Sequence, residues 1–201
     1  MGSVGNGPRK SLLALGDSII AGVGASQLSR ALVGQTAVHL AAQEQAQVDW
    51  QAFGHIGFST RKFLRYYEDG LPDADPDYVI ISLGVNDVTS LTTASRWIAG
   101  LKRTLALCRQ NYSRAAIALA GLPPFRIFPL LPEPLRTVIG KRGESFDDLA
   151  KALVPEFPRT VHVPIDIELQ SKSFCEDGFH PSEKGYVDFG RGMADALLRT
   201  H

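Results

Sequence analysis

The sequence predicts one α/β domain, a three-layer α/β/α sandwich built around a parallel sheet. Short apolar runs of strand length alternate with longer stretches of helical periodicity along the 201-residue chain. The runs are apolar almost throughout, as in strands buried on both faces, and they stop at turn-forming residues. This alternation joins parallel strands through crossover helices. Five strands are expected, over residues 11–15, 48–53, 78–83, 115–119 and 161–163.

Helices are expected in the segments between these strands. Apolar residues recur at helical spacing in the best defined of these segments, and Ser59, Thr60 and Ser182 are suitable N-caps. The expected helices cover residues 31–45, 59–67, 92–111, 136–152 and 182–198. Residues 1–9 are Gly-rich and polar, which is typical of a disordered lead-in, so the single domain is expected over residues 10–201.

Composition and charge argue against several classes of function. Lys plus Arg equals Asp plus Glu at 21 each, so the formal net charge is zero and favours neither nucleic acid nor an anionic membrane as partner. Cys108 and Cys175 are expected as reduced thiols, with a single disulfide as the alternative. No apolar run approaches the roughly 20 residues that span a bilayer. The N-terminus lacks the apolar core of a signal peptide, so a cytoplasmic location is expected.

Two motifs that could hold a cofactor or a metal are incomplete, so the sequence predicts neither a dinucleotide cofactor nor a calcium ion. Gly22-Val23-Gly24 begins like a dinucleotide fingerprint, but Gln27 stands where the third glycine belongs. The alternating aspartates at 73, 75 and 77 begin like an EF-hand loop. Tyr78 then occupies the position of the required glycine, and Gly84 that of the bidentate glutamate.

Residues suited to acyl transfer stand where ligands bind in this fold class. Ser18 follows the first strand, Asn86 follows the third, and Asp177 and His180 come shortly before the last helix. Ligands bind beyond the carboxyl ends of the strands in open α/β sheets. A serine hydroxyl needs a base to become a nucleophile, and His180 can be that base. Asp177 can orient the imidazole and stabilise its protonated form.

An acyl-transfer site also needs donors for the oxyanion that forms. The Asn86 side-chain amide and the backbone N–H groups of Ser18 and Gly57 are the candidates. A glycine suits this position because no side chain blocks the approach of a substrate. Gly54 is the alternative to Gly57.

Two other interpretations of these residues differ in fold or in activity. Each residue is also a common turn former, so a non-catalytic α/β binding module is an alternative of a different class, although all four polar residues of the site are present. The α/β-hydrolase fold has the same order of serine, aspartate and histidine, but it requires Gly-x-Ser-x-Gly. Ile20 stands two residues after Ser18, which excludes that motif.

Four short motifs together resemble those of the SGNH (GDSL) hydrolase family of esterases and lipases. They are Gly16-Asp17-Ser18, the glycine Gly57, the run Gly84-Val85-Asn86-Asp87 and the run Asp177-Gly178-Phe179-His180. The resemblance implies a flavodoxin-like parallel sheet and ester hydrolysis without a metal. It also implies a catalytic set of Ser18, Asp177 and His180 and an oxyanion hole of Ser18, Gly57 and Asn86. The chain departs from the family in two ways. Ile19 replaces the leucine of the first motif, and the second motif lacks its usual asparagine.

The expected substrate is a small-molecule ester with a short to medium acyl chain. Phe58, Phe125 and Phe128 are expected to line an apolar acyl site. Residues 121–134 contain five prolines, so they form a long loop that either walls the site or closes the edge of the core. Residues 128–132 resemble a proline-rich loop in one bacterial branch of the family. A thioesterase, a lysophospholipase and a carbohydrate O-deacetylase on the same fold are the alternative activities.

Overall fold

The computed structural model describes residues 1–128, 131–165 and 173–200, and it confirms the α/β class. Within these residues, six strands form one sheet in the order β1-β3-β2-β4-β5-β6. The strands are β1 (Gly2–Val4), β2 (Arg9–Gly16), β3 (Gln47–Gly54), β4 (Tyr78–Ser82), β5 (Ala116–Ala120) and β6 (Thr160–Val163). Every neighbouring pair except β1 with β3 is parallel. Counted without β1, the five parallel strands have the order 2-1-3-4-5 of flavodoxin.

The strand β1 corrects two sequence-based predictions. It pairs antiparallel with β3, with Val4 opposite Val48 and Gly2 opposite Trp50, so the sheet has six strands rather than five parallel ones. The predicted disordered lead-in is therefore wrong for Gly2–Val4. A Cβ at Gly2 would clash with the Trp50 indole, so glycine lets the chain lie flat on this ring. Three residues are too few to show a strand pattern. The prediction of a single domain over residues 10–201 stays a prediction.

Helices cover both faces of the sheet because the strands are apolar on both sides. Leu12 and Ala14 of β2 face one helical layer, and Leu13 and Leu15 face the other. The first layer contains α1 (Leu32–Glu44) and α6 (Glu183–Leu198). The second contains α2 (Thr60–Tyr66), α3 (Val85–Thr89), α4 (Ala94–Asn111) and α5 (Leu135–Leu153). The one-turn helix α3 was not expected from the sequence. No helix in the described ranges is both long and apolar enough to cross a membrane.

Side-chain caps set where three of these helices begin. Ser59 accepts a hydrogen bond from the Lys62 N–H, Thr93 from the Arg96 N–H and Ser182 from the Gly185 N–H. A side-chain oxygen at this position satisfies a backbone donor that the helix leaves unpaired. Capping at Ser182 starts α6 directly after the segment that carries His180.

The central strands β2 and β4 end side by side and bring their following turns together. The Asp17 N–H donates to the Ser82 carbonyl at 3.1 Å. A Cβ at Gly16 would clash with that same carbonyl, so only glycine allows the two chains to approach so closely here. The strand order reverses between β2 and β4, and ligands bind in such a crevice in open α/β sheets. After β5, the loop contains a 3₁₀ turn at Phe125–Ile127, and Pro129 and Leu130 lie outside the described residues.

Candidate active site

Ser18, His180 and Asp177 form a continuous hydrogen-bonded series at the carboxyl edge of the sheet. Ser18 Oγ lies 3.0 Å from His180 Nε2, and His180 Nδ1 lies 2.6 Å from Asp177 Oδ2. The turn after β2 supplies the serine, and the loop before α6 supplies the other two residues. Serine, imidazole and carboxylate in this order are the parts of a nucleophile, a base and a group that orients the base.

Asp177 is surrounded by donors that favour its ionised form. Its Oδ1 accepts hydrogen bonds from the Phe179 N–H at 2.8 Å, the His180 N–H at 2.9 Å and the Cys175 thiol at 3.0 Å. Burial opposes ionisation, but the bonds from Cys175, His180 and Phe179 outweigh it and hold the pKa of Asp177 well below its usual range. Asp177 is therefore a carboxylate at neutral pH and can stabilise a protonated imidazole.

Cys175 also contacts the site, although it belongs to none of the four sequence motifs. Besides the thiol bond to Asp177, its N–H donates to the His180 carbonyl at 2.9 Å, and its carbonyl accepts from the Gly178 N–H at 2.9 Å. Cys175 thus closes the loop that carries both Asp177 and His180. Burial raises the pKa of its thiol, which keeps the S–H donor. Both cysteines are free, as expected. The position of Cys175 two residues before the aspartate was the only signal in the sequence.

Asn86 lies at the start of α3, directly after the end of β4. Its side-chain Nδ2 donates to the Phe58 carbonyl at 3.0 Å, which fixes the orientation of the amide. An amide nitrogen carries a second hydrogen. The same bond connects Asn86 to the loop that contains Gly57.

Gly54 and Gly57 differ sharply in their surroundings. Gly57 has a left-handed φ of 77°, and a Cβ placed there would meet no atom within 4 Å. Gly54 ends β3, and a Cβ there would clash with Ala21 N and crowd Ile20. Gly54 therefore packs against the turn after β2, whereas Gly57 faces open space where a substrate can approach.

Asp87 connects α3, which carries Asn86, to the start of α2, which follows the loop that carries Gly57. The buried carboxylate accepts from the Thr60 N–H and from the Thr60 hydroxyl, both at 2.8 Å. Burial raises the pKa of Asp87, and the bonds from Thr60 act in the opposite direction. These contacts give Asp87 a role in holding the loops together rather than in contacting a substrate.

Asp17 is buried beneath the turn that carries Ser18. Its side chain is 1% exposed and accepts from the Ile19 N–H at 3.1 Å and the Ser82 hydroxyl at 3.3 Å. Burial raises the pKa of Asp17 to about 7, against the effect of these two bonds. Asp17 shapes the turn, while Asp177 is the residue that contacts His180.

A small apolar cavity of about 40 Å³ lies beside Ser18 and His180. A cavity needs roughly 10–15 Å³ to hold one water, so this space accepts only a few heavy atoms. Its wall includes Leu83, Val85, Leu122, Phe128, Phe174 and Phe179. Gly121, Leu122 and Pro123 contribute to it, so the start of the proline-rich loop walls the site.

The three predicted acyl-site phenylalanines fall in three different places. Phe128 lines the cavity and stacks on Phe179 with ring centroids 4.9 Å apart. Phe125 is 0% exposed and packs in the core behind Phe128, outside the cavity wall. Phe58 stacks on His55 at 4.4 Å, outside the cavity wall. Phe174 and Phe179 were missed because aromatic residues in a loop show no periodicity. Within the described ranges, no group of three or more His, Cys, Asp or Glu residues could hold a metal ion.

Comparisons with known proteins agree with this fold. The chain is 26% identical over 195 residues to the GDSL-like esterase Rv1075c of Mycobacterium tuberculosis, covering 88% of this chain and 58% of that protein. It therefore spans less than two thirds of that relative's length. The crystal structure of TesA superposes with a TM-score of 0.73 at 20% identity, covering 96% of this chain and all of TesA. The psychrotrophic esterase EstA from Pseudoalteromonas sp. superposes with a TM-score of 0.71 at 19% identity, covering 94% of this chain and 97% of EstA.

The sequence model of the GDSL-like lipase/acylhydrolase family covers most of this chain. It matches residues 14–187, which include all four motifs at Ser18, Gly57, Asn86 and His180. The chain belongs to the GDSL-like lipase/acylhydrolase family.

Proposed function

We propose that the protein hydrolyses small carboxylic esters with short acyl chains through an acyl-enzyme on Ser18. The observation that carries the proposal is the hydrogen-bonded series Ser18–His180–Asp177, with contacts of 3.0 and 2.6 Å. This geometry lets one imidazole take the serine proton while the carboxylate holds its other nitrogen.

In the first half-reaction, Ser18 Oγ attacks the ester carbonyl carbon, and its proton passes to His180 Nε2. The resulting tetrahedral intermediate carries its negative charge on the former carbonyl oxygen. The C–O bond to the alcohol then breaks, and His180 returns the proton to the leaving alkoxide. Water repeats these steps on the acyl-enzyme and releases the carboxylic acid and free Ser18. Asp177 stabilises the imidazolium formed in both halves, and its low pKa supports this role.

The oxyanion is proposed to accept hydrogen bonds from the N–H groups of Ser18 and Gly57 and from Asn86 Nδ2. The bond from Asn86 to the Phe58 carbonyl supports this assignment, because it holds the amide before any substrate arrives. Donors that are oriented in advance lose no energy to reorganisation when charge develops. The open space at Gly57 favours it over Gly54 as the backbone donor.

The cavity volume favours an acetyl, propionyl or similarly short acyl group. About 40 Å³ of apolar space beside Ser18 suits two or three carbon atoms better than a long chain. Thioesters, lysophospholipids and acetylated sugars would react through the same acyl-enzyme and differ from a simple ester in the group that leaves or in the length of the acyl chain.

Turnover of p-nitrophenyl esters and covalent labelling by an ethyl p-nitrophenyl phosphonate test the proposal. We expect turnover that is fastest for acetate and propionate, and one phosphonyl group on the Ser18 peptide in mass spectra. Ser18→Ala should abolish both, whereas Ser95→Ala, an exposed serine on α4, should change neither. Labelling that persists in Ser18→Ala, or a wild-type protein that neither turns over nor labels, would refute the mechanism.

A further inference from the structure

A second aspartate–histidine pair lies close to the site but outside the Ser18–His180–Asp177 series. Asp147 Oδ1 on α5 lies 2.8 Å from His162 Nε2 on β6. The His162 side chain is 6% exposed and that of Asp147 26% exposed. A carboxylate oxygen is an acceptor, so the imidazole N–H of His162 is the donor. Neither residue lines the cavity beside Ser18, so the pair has no direct contact with a substrate there.

The same oxygen of Asp147 holds the backbone of the cavity wall. Asp147 Oδ1 accepts the Leu122 N–H at 2.7 Å, and Leu122 is only 8% exposed. One residue earlier, the Gly121 N–H donates to the Val163 carbonyl at 2.8 Å. A single carboxylate oxygen therefore connects α5, β6 and the first residues after β5.

Gly121 is packed tightly into this arrangement. A Cβ at position 121 would lie 2.9 Å from the Val163 carbonyl oxygen and 3.1 Å from both Asp147 Oδ1 and His162 Cε1. These contacts fix the path of the chain as it leaves β5. Gly121, Leu122 and Pro123 then form one side of the cavity, so the carboxylate sets the position of that side.

We infer that Asp147 is a positioning residue that sets the acyl-chain preference of the site by holding the backbone at Leu122. This inference rests on the proposed esterase function, whose site it concerns. Removing the carboxylate leaves the nearly buried Leu122 N–H without a partner, which costs roughly 1–3 kcal/mol. The backbone at residues 121–123 then moves so that the Leu122 N–H regains an acceptor, and the cavity beside Ser18 widens. One methylene in a pocket changes specificity by about 10–200-fold, so a wider cavity should alter the preference for acyl-chain length markedly.

Three variants on α5 separate this role from general stabilisation of the fold. Asp147→Ala removes the acceptor, whereas Asp147→Asn keeps an oxygen that can accept from both Leu122 and His162. Asp148→Ala is the matched control, since Asp148 is the exposed neighbour on the same helix. The readout is the ratio of kcat/KM for p-nitrophenyl acetate to that for p-nitrophenyl octanoate. This ratio does not depend on the fraction of folded protein.

We expect Asp147→Ala to lower the acetate-to-octanoate ratio by about tenfold, while Asp147→Asn and Asp148→Ala stay within about twofold of wild type. A ratio in Asp147→Ala equal to that of the wild type would overturn the inference, even if the variant is less stable. A shift of equal size in Asp148→Ala would also overturn it.

Amide hydrogen exchange at Leu122 tests the positioning contact without any substrate. We expect the Leu122 amide to exchange slowly in the wild type and in Asp147→Asn, and about 5–160-fold faster in Asp147→Ala, by the loss of roughly 1–3 kcal/mol of protection. Equal exchange in all variants refutes the contact. A wild-type protein without ester turnover or phosphonate labelling refutes the proposed function instead, and Leu122 exchange still decides whether Asp147 holds the segment.

Discussion

Replacing Asp17 with asparagine should stabilise the protein at neutral and alkaline pH. The wild-type carboxyl is 1% exposed, and burial raises its pKa from 3.8 to about 7. Asparagine keeps an oxygen that can accept from the Ile19 N–H and the Ser82 hydroxyl, and it carries no charge to bury. At 1.36 kcal/mol for each pKa unit, the difference between 3.8 and about 7 corresponds to about 4 kcal/mol.

The sign of the effect follows from which state binds the proton. Between pH 3.8 and about 7 the folded protein keeps the Asp17 proton, while the unfolded chain has lost it. The free energy of unfolding of the wild type therefore falls as pH rises through this window. The introduced asparagine does not titrate, so the variant lacks this loss. The free energy of unfolding of Asp17→Asn minus that of the wild type should rise by about 4 kcal/mol between pH 4 and 8.

Urea unfolding at pH 4, 5, 6, 7 and 8 measures this difference directly. Other carboxyl groups, such as Asp177 and Glu183, titrate equally in both proteins and cancel in the subtraction. A difference that changes by less than about 1 kcal/mol across the range would refute the assigned cost of burying Asp17.

Substitutions at four further residues test the proposed site. Asn86→Ala should lower kcat by about 10²–10³-fold, measured in steady state after titration of active sites with the phosphonate; an unchanged kcat removes Asn86 from the oxyanion hole. Cys175→Ala should lower kcat by about 2–12-fold, since a bond worth about 0.5–1.5 kcal/mol to Asp177 is lost, and Cys175→Ser should restore it; equal rates in both variants contradict this role. Gly57→Ala should cost roughly 1–2 kcal/mol of stability from its left-handed φ and should slow acylation. Gly54→Ala should instead unfold the protein at a lower urea concentration than Gly57→Ala, because its Cβ would clash with backbone; the reverse order would exchange the roles of the two glycines.

The sequence predicts the parallel sheet, and it predicts that the polar residues after the strands lie close together at one edge. Both predictions have a simple physical reason. Fully apolar runs must be buried on both faces, and helices between them require parallel strands. Parallel strands all end at the same edge. Ser18 and Asn86 therefore had to lie near each other once their strands were recognised as neighbours. The strand order itself came from the family resemblance, because periodicity does not say which strand lies next to which.

The features that the sequence did not reveal depend on contacts between distant residues. Phe125 and Phe128 share one loop and one side-chain type, yet only Phe128 faces the cavity. No periodicity governs which way a residue points in an irregular segment. Asp147 and Leu122 are 25 positions apart and form a side-chain-to-backbone bond that leaves no local pattern. The strand β1 was missed because its three residues pair with a strand more than 40 positions away.

Carboxylates connect the loops that surround the candidate site, and all of them except the exposed Asp177 are buried or partly buried. Asp17 binds the turn after β2 to the end of β4, Asp87 binds α3 to the start of α2, and Asp147 binds the segment after β5 to α5. Asp177 does the same within the loop before α6. Strand-end loops have backbone N–H groups that no ladder satisfies, and a carboxylate oxygen can accept several of them at once.

These carboxyl groups differ in the direction in which folding shifts their pKa. Burial raises the pKa of Asp17 and Asp87, while the donors around Asp177 lower its pKa. The fold therefore favours the neutral forms of Asp17 and Asp87 relative to the unfolded chain, and a proton on either does not weaken it. A fall in pH should consequently leave in place the turn that holds Ser18 and the short helix that holds Asn86.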